Sequence, residues 1–169
     1  MKPHVKFGLL VGATGILLSL ISYILGLDKS DTGQYIGWIN VPIMIIALVF
    51  AIKEKRLSNE GGFISFGHAF KTGFLVVLIA TAITAVYNYL YFSVINPGIK
   101  DYILQKQADK FEEQGMSGAQ MEQALAMTEK FTTPVMASVW VFFGGLFLGT
   151  IVVLIFAAIM KKNNPQEIS

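Results

Sequence analysis

Four long apolar runs constrain this chain more than any other feature of its sequence. They cover residues 7–27, 35–52, 72–95 and 134–160, and none contains Asp, Glu, Lys, Arg or His. About 20 residues of α-helix, each rising about 1.5 Å, cross the roughly 30 Å hydrocarbon core of a bilayer. The runs therefore predict four membrane-spanning helices, in an all-α integral membrane four-helix bundle that forms a single domain over residues 1–169.

Composition agrees with a membrane protein and excludes several other functions. Hydrophobic residues make up 54% of the chain and charged residues 14%, which lies outside the usual range of a soluble domain. The net charge is only +2, and the cations flank the runs rather than alternate with aromatic residues, so we expect no nucleic-acid partner. The absence of cysteine excludes a disulfide framework, a thiolate metal site and a cysteine nucleophile.

The first run follows Lys2 and Lys6 and could be read as a secretory signal peptide. The apolar region of a signal peptide has about 7–15 residues and ends in small residues at a cleavage site. This run instead continues to residue 27. We therefore predict that it is an uncleaved first span.

The distribution of Lys and Arg predicts the orientation of the spans. Basic residues precede the first run, lie between the second and third runs and follow the fourth. Loop 28–34 has one Lys against two Asp, and loop 96–133 has four Lys against six acids. Because positively charged loops stay in the cytoplasm, we predict that both termini are cytoplasmic. Tyr87 and Tyr91 then fall at the outer interface, where tyrosine is favoured.

Residues 96–133 form a loop that is too long to lack structure in a compact protein. Apolar positions at helical spacing predict two amphipathic helices, separated by a break at Gln114 and Gly115, which together form an outer helical hairpin. Ser117 followed by Gln120 matches a capping box at the start of the second helix. The favoured interpretation of the hairpin is a packed extension of the third and fourth spans. The alternatives are that it lies on the outer membrane surface, folds over the mouth of the bundle, or binds a partner.

The inner segment 61–71 is the most distinctive stretch of the sequence. Read as a helix from Ser65, it places Phe66 and Phe70 one turn apart, with His68 and Lys71 on another side near the headgroups. This pattern predicts an interfacial helix that bends into the third span. The sequence around His68 lacks the convergent acids or histidines of a metal or catalytic site, so an interfacial role is favoured.

Small and polar residues within the spans suggest helix packing rather than chemistry. Two small-residue motifs let helix backbones approach closely, within the chain or between chains. Three polar residues follow one stripe of the third run and form either a polar path or an interhelical hydrogen bond. The packing residues are Gly8, Gly12, Gly145 and Gly149, and the polar residues are Thr81, Thr84 and Asn88.

Two motifs resemble a known family. The pattern G-G-F-I-S-F-G-H-A-F-K-T-G, residues 61–73, enters the third run, and Y-N-Y-L-Y-F-x-x-I-N-P, residues 87–97, closes it. Together they resemble the small bacterial membrane proteins of domain-of-unknown-function family 4199, over nearly the whole chain. The resemblance implies four helices and no assigned activity or functional residue.

No motif of catalysis or cofactor binding is present, so we expect no enzyme, no cofactor, no metal and no catalytic residue. The favoured function is an accessory or scaffold protein that binds the lipid bilayer and either another membrane protein or a second copy of itself. One alternative is a small transporter or channel, against which the absence of charge within the spans argues. The other is an envelope sensor that acts through the outer loop.

Overall fold

The computed structural model describes residues 1–30 and 33–163, and this part of the chain is helical with no named β-strand. The all-α fold class is thereby confirmed for the described residues. Asp31 and Thr32, in the first predicted outer loop, and residues 164–169 lie outside this part. The helices are α1 (Pro3–Ile24), α2 (Gly33–Ile36), α3 (Asn40–Leu57), α4 (Phe66–Leu90), α5 (Ile99–Glu113), α6 (Ala119–Phe131) and α7 (Pro134–Met160).

Four helical segments are long and apolar enough to cross a membrane, which indicates a membrane protein. They are Pro3–Ile24, Gly37–Leu57, Phe66–Ile95 and Pro134–Met160. The fourth has the bounds of the fourth apolar run, whereas the first three begin or end elsewhere. A charge-free run marks the residues that can lie in the hydrocarbon core of the bilayer. The helix itself can extend into flanking polar residues, because its backbone hydrogen bonds do not depend on side-chain polarity.

The end of α1 shows how local backbone chemistry sets such a boundary. Gly26 has φ of +66°, a left-handed conformation that glycine adopts without steric cost. Its N–H donates to the carbonyl of Tyr23 at 3.0 Å, and the N–H of Leu27 donates to the carbonyl of Ser22 at 2.8 Å. These two bonds satisfy carbonyls that have no partner within the helix. The helix therefore stops at Ile24, although the apolar run continues.

The chain forms two compact units: Met1–Thr84 with Phe142–Ser169 (the first unit), and Ala85–Val141 (the second unit). The first unit contains α1, α3, most of α4 and the later part of α7. Its core joins Leu48 of α3, Val76 and Val77 of α4 and Val153 of α7, and all four side chains have no exposed surface. Since lipid is as apolar as these side chains, close packing rather than water exclusion holds such helices together.

Glycines bring the helices of the first unit into close contact. The α-carbons of Gly8 and Gly12 on α1 approach α4 so closely that an added Cβ would lie 2.8 Å from Cβ of Ile79 and 3.0 Å from Cγ2 of Ile83. Distances this short exclude a larger residue unless the helices move apart. The first predicted packing motif thus lies at a contact within the chain.

The second predicted motif also lies at a contact within the chain. On α7, a Cβ added to Gly145 would lie 2.9 Å from Cγ2 of Thr81, and one added to Gly149 would overlap Cγ1 of Val77. Both neighbours belong to α4. Gly144, the residue beside Gly145, has open space at the same position, so the close contact is confined to one face of α7.

Two contacts bring the basic flanks of the first unit to one end. Nζ of Lys6, at the start of α1, lies 2.9 Å from Oε2 of Glu54, near the end of α3. Ile64, just before α4, and Lys162, just after α7, exchange two backbone hydrogen bonds of 2.9 Å. The start of α1, the end of α3, the start of α4 and the end of α7 therefore share one end of the unit.

The inner segment 61–71 differs from the sequence prediction of an interfacial helix that bends into the third span. Gly61 and Gly62 have positive φ and form a turn, and an extended stretch follows up to Ser65. From Phe66 onward, α4 continues without a break to Leu90. Phe66 is therefore the first residue of the spanning helix itself, because the turn glycines and the Ile64 bridge complete the change of direction before the helix starts.

The second unit contains the end of α4, the helices α5 and α6, and the start of α7. A π-helical turn, Tyr91–Ile95, closes α4. The predicted capping box is wrong: the N-cap of α6 is Gly118, with no side-chain hydrogen bond. Gly118 has φ of +59° and makes the turn into the helix, so Ser117 lies one residue too early to cap it.

Candidate functional site

The candidate site lies between α5 and α6. The turn between the two helices allows them to pack together. The N–H of Gly115, whose φ is +77°, donates to the carbonyl of Glu112, and the N–H of Met116 donates to the carbonyl of Phe111, both at 2.9 Å. This pair of bonds closes the C-terminus of α5. The chain then reverses through Gly118 and enters α6, so that the two helices pack against one another.

An open groove of about 440 Å³ runs between the two helices. Its surface is mostly apolar. An open apolar groove between two helices suits a side chain or helix of a partner better than a small polar substrate. The lining residues are Leu104, Gln105 and Ala108 of α5, and Glu122, Leu125, Ala126 and Glu129 of α6.

An ion pair links the two helices at one end of the groove. Nζ of Lys100 on α5 lies 2.8 Å from Oε1 of Glu129 on α6. The hydrogen bond from Lys100, and then its positive charge, lower the pKa of the Glu129 carboxyl. Since the Glu129 side chain is 57% exposed, this pair aligns the helices more than it stabilises them.

Glu122 gives the groove a second carboxylate. Glu122 is exposed and forms no ion pair with any residue that the structure describes. With Glu129 neutralised by Lys100, the remaining charge along the groove is negative. The groove thus offers a mostly apolar lining with an unpaired carboxylate, which complements an apolar surface that carries a cation.

The groove lining includes two carboxylates. They belong to Glu122 and Glu129, and the lining residues include no His, Ser or Lys. Across residues 1–30 and 33–163, no group of three His, Asp or Glu side chains is arranged to hold a metal ion.

The polar stripe of α4 divides into two kinds of residue. The hydroxyls of Thr81 and Thr84 each donate to the carbonyl four residues earlier in α4, at 2.9 Å, a local bond that satisfies a hydroxyl in an apolar setting. Asn88 differs, because its Oδ1 is buried and has no hydrogen-bond partner within the described residues. Of the three predicted residues, Asn88 alone has an unused buried polar atom.

The aromatic residues predicted at the outer interface lie together on the second unit. The rings of Tyr87 and Tyr91 are 5.9 Å apart. Tyr91 is buried, and its hydroxyl accepts a hydrogen bond of 3.2 Å from Nδ2 of Asn96, also buried. These contacts make Tyr91 and Asn96 part of the local packing around the π-helical turn.

The predicted interfacial residues His68 and Lys71 are both exposed on the first turns of α4. Nδ1 of His68 lies 2.9 Å from Oγ of Ser65, the residue that precedes the helix. Ser65 occupies the position just before the helix, where serine favours helix initiation. The contact therefore ties the His68 side chain to the start of α4.

The apolar stripe predicted for the second outer helix included Leu125, but the other residues of the groove were not identified from the sequence. Leu104 and Ala108 lie at the edge of the apolar stripe of α5, while Glu122 and Glu129 read as the solvated face of α6. The spacing of Leu104 and Ala108, one helical turn apart, is the only sequence signal for the contact. Their pairing with Leu125 depends on how the two helices align, which periodicity does not encode.

Comparison with known proteins places the chain in a family. No curated protein and no solved structure matches it. Residues 6–162 match the family described as "Protein of unknown function (DUF4199)". The match covers nearly the whole chain and confirms the resemblance drawn from the motifs around residues 61–73 and 87–97. The chain therefore belongs to the DUF4199 family of proteins of unknown function.

Proposed function

We propose that this protein is a non-enzymatic accessory or scaffold protein of the bacterial inner membrane that binds another integral membrane protein. Both termini are cytoplasmic, and the α5–α6 pair lies on the outer side. The grouping of the basic flanks at one end of the first unit supports this orientation, because cationic loops are retained in the cytoplasm.

The groove between α5 and α6 is the observation that carries the proposal. It is open, mostly apolar and lined from both helices. An exposed apolar groove of this kind accommodates an amphipathic helix, whose side chains at every third or fourth position enter it.

The charge along the groove specifies the partner further. The Glu122 carboxylate has no cation opposite it in the described residues, whereas Glu129 is already paired with Lys100. A suitable partner helix presents Leu or Met toward Leu104 and Leu125, and Lys or Arg toward Glu122. Such a helix matches both the apolar lining and the negative charge of the groove. We expect such a helix beside a membrane span of the partner, since the α5–α6 pair is itself flanked by spanning helices.

A groove-filling substitution tests the proposal. Ala126 lines the groove, and Ala126→Trp would fill it, whereas Ala119→Trp adds the same side chain at an exposed position of α6 that does not line it. Each variant is tagged, crosslinked briefly in its native membrane and purified in mild detergent. We expect a stoichiometric membrane protein with the wild type and Ala119→Trp, and its loss with Ala126→Trp.

Two results would contradict the proposal. One is purification of the chain alone or only with a second copy of itself. The other is equal retention of the partner by both tryptophan variants, since binding would then not involve the groove. Circular dichroism of Ala126→Trp checks that a loss of binding is not a loss of folding.

A second candidate function, a small transporter or channel, has one observation in its favour. The buried Oδ1 of Asn88 lacks a partner in the described part of the chain, and buried polar atoms are normally satisfied. A solute with a hydrogen-bond donor would satisfy it. Flux into proteoliposomes, compared between the wild type and Asn88→Leu, tests this function, and the absence of saturable flux for every solute class would exclude it.

A further inference from the structure

The shared end of the first unit, here called the cationic end, carries a strong excess of positive charge. Its segments 1–6, 53–71 and 161–162 contain eight Lys or Arg residues and two carboxylates, Glu54 and Glu60, an excess of six positive charges. The Lys6–Glu54 ion pair and the backbone bonds between Ile64 and Lys162 bring these segments together. The cations are Lys2, Lys6, Lys53, Lys55, Arg56, Lys71, Lys161 and Lys162.

The protein itself neutralises little of this charge. Lys6 pairs with Glu54 and also lies 5.0 Å from the ring centre of Phe7, and Lys162 lies 5.3 Å from that of Phe63. No other ion pair occurs at this end among the side chains that the structure describes. Most of the cations therefore have no carboxylate partner among the described side chains.

The strongest concentration lies where α3 ends. Lys53, Lys55 and Arg56 occupy the last turn and a half of that helix, where the partial negative charge of the helix C-terminus favours cations. Leu57, the next residue, is 67% exposed, and Phe66 at the start of α4 is 41% exposed. Cations and exposed apolar side chains thus both occur where the chain passes between two spans.

Cations together with exposed apolar side chains suit the binding of an anionic phospholipid. A phosphate is held by Lys and Arg, with Arg able to bind it bidentately. The acyl chains require apolar surface directly beside the phosphate. Phe66 stacks on Phe70, with ring centres 6.2 Å apart. Phe70 is partly buried against the core of the first unit, so the exposed ring of Phe66 supplies apolar surface at the cationic end.

We propose that the cationic end binds anionic phospholipid in the adjoining leaflet. Lys53 and Arg56, which share one face of α3, hold the lipid phosphate, Lys55 adds positive charge from another face, and the acyl chains lie against Leu57 and Phe66. The excess of positive charge makes binding selective for lipids with a net negative headgroup over zwitterionic ones. This proposal does not depend on the partner-binding function, because it concerns a different surface.

A charge-removal variant tests the proposal. Lys53→Gln, Lys55→Gln and Arg56→Gln are combined, and the protein is placed in nanodiscs with equal amounts of phosphatidylglycerol and phosphatidylcholine. Native mass spectrometry then measures which lipid stays bound. Each cation near an anionic membrane surface contributes a factor of about 5 in affinity, so the three together contribute a factor of roughly 100. We expect the wild type to retain phosphatidylglycerol and the variant to lose most of that preference.

A matched control removes three cations from the second unit instead. Lys106→Gln, Lys110→Gln and Lys130→Gln change the net charge by the same amount, and none of these residues belongs to the cationic end. We expect this control to retain phosphatidylglycerol as the wild type does. Equal loss in both variants would overturn the proposal, because net charge rather than the cationic end would then determine lipid retention.

The salt dependence of lipid binding by the wild type tests the proposal without relying on the folding of a variant. Raising the salt from 0.05 M to 0.5 M screens charges near the surface, so the preference for phosphatidylglycerol should fall severalfold. Equal retention of both lipids by the wild type at low salt, or a preference that is independent of salt, would overturn the proposal.

Discussion

The contact between α7 and α4 at Gly149 provides a direct test of the packing in the first unit. A Cβ added at this position would overlap Cγ1 of Val77 and stand 3.1 Å from its Cγ2. Val77 has no exposed surface, and a β-branched side chain in a helix is largely restricted to one rotamer. The substitution Gly149→Ala therefore forces the two helices apart rather than moving a flexible side chain.

The expected magnitude follows from two opposing effects. Overpacking in a close-packed interior costs about 1–3 kcal/mol. Alanine favours the helix over glycine by about 1 kcal/mol, which offsets part of that cost. We expect Gly149→Ala to lower the free energy of unfolding by about 0–2 kcal/mol, measured by circular dichroism during titration of mixed micelles with sodium dodecyl sulfate.

A second glycine of the same helix serves as the control. Gly144 has no atom within 4 Å of an added Cβ, so Gly144→Ala retains the gain in helix propensity without the clash and should be neutral or slightly stabilising. Adding Val77→Ala to Gly149→Ala removes the overlapping methyl groups, so the two changes should couple favourably by about 0.5–3 kcal/mol. Equal stability of Gly149→Ala and Gly144→Ala, or no coupling with Val77, would refute the reasoning.

Two further predictions concern the second unit. The Lys100–Glu129 pair lowers the pKa of Glu129, so its stabilising effect is present above the ordinary glutamate pKa and disappears as the pH falls through the lowered value. In thermal unfolding measured at several pH values, the wild type should therefore lose a little stability as the pH falls, and Glu129→Gln should not show this loss. The same pH dependence in both proteins would contradict the prediction. Asn88→Leu removes a buried oxygen without a partner and should stabilise the fold by about 1 kcal/mol in the same titration, whereas destabilisation would show that this oxygen has a partner.

The sequence was sufficient to predict the helices because membrane insertion imposes a strong pattern. Charge-free runs of about 20 residues have few structural solutions in a bilayer, and α7 has the predicted bounds. Gly115 also marks the end of the first short helix, as expected from its conformational freedom. These features depend on local composition, which a single sequence contains.

Features that depend on how helices align were not predictable in the same way. Gly8 and Gly149 were recognisable as packing residues, but nothing in the sequence identifies Ile79 or Val77 as their neighbours. The groove likewise depends on the position of Leu104 beside α6. The capping prediction at Ser117 failed because Gly118 supplies the turn by its positive φ, and a sequence motif does not reveal which of two adjacent turn residues begins the helix.

Site-specific photocrosslinking in the native membrane tests the proposed partner binding most directly. A benzophenone side chain at Gln105 lies at the groove, whereas one at Lys110 is exposed on the same helix and does not line the groove. The account predicts an adduct with another integral membrane protein from position 105, its loss when Ala126→Trp is added, and no such adduct from position 110. An adduct only with a second copy of the chain, equal adducts from both positions, or none from position 105 would contradict it.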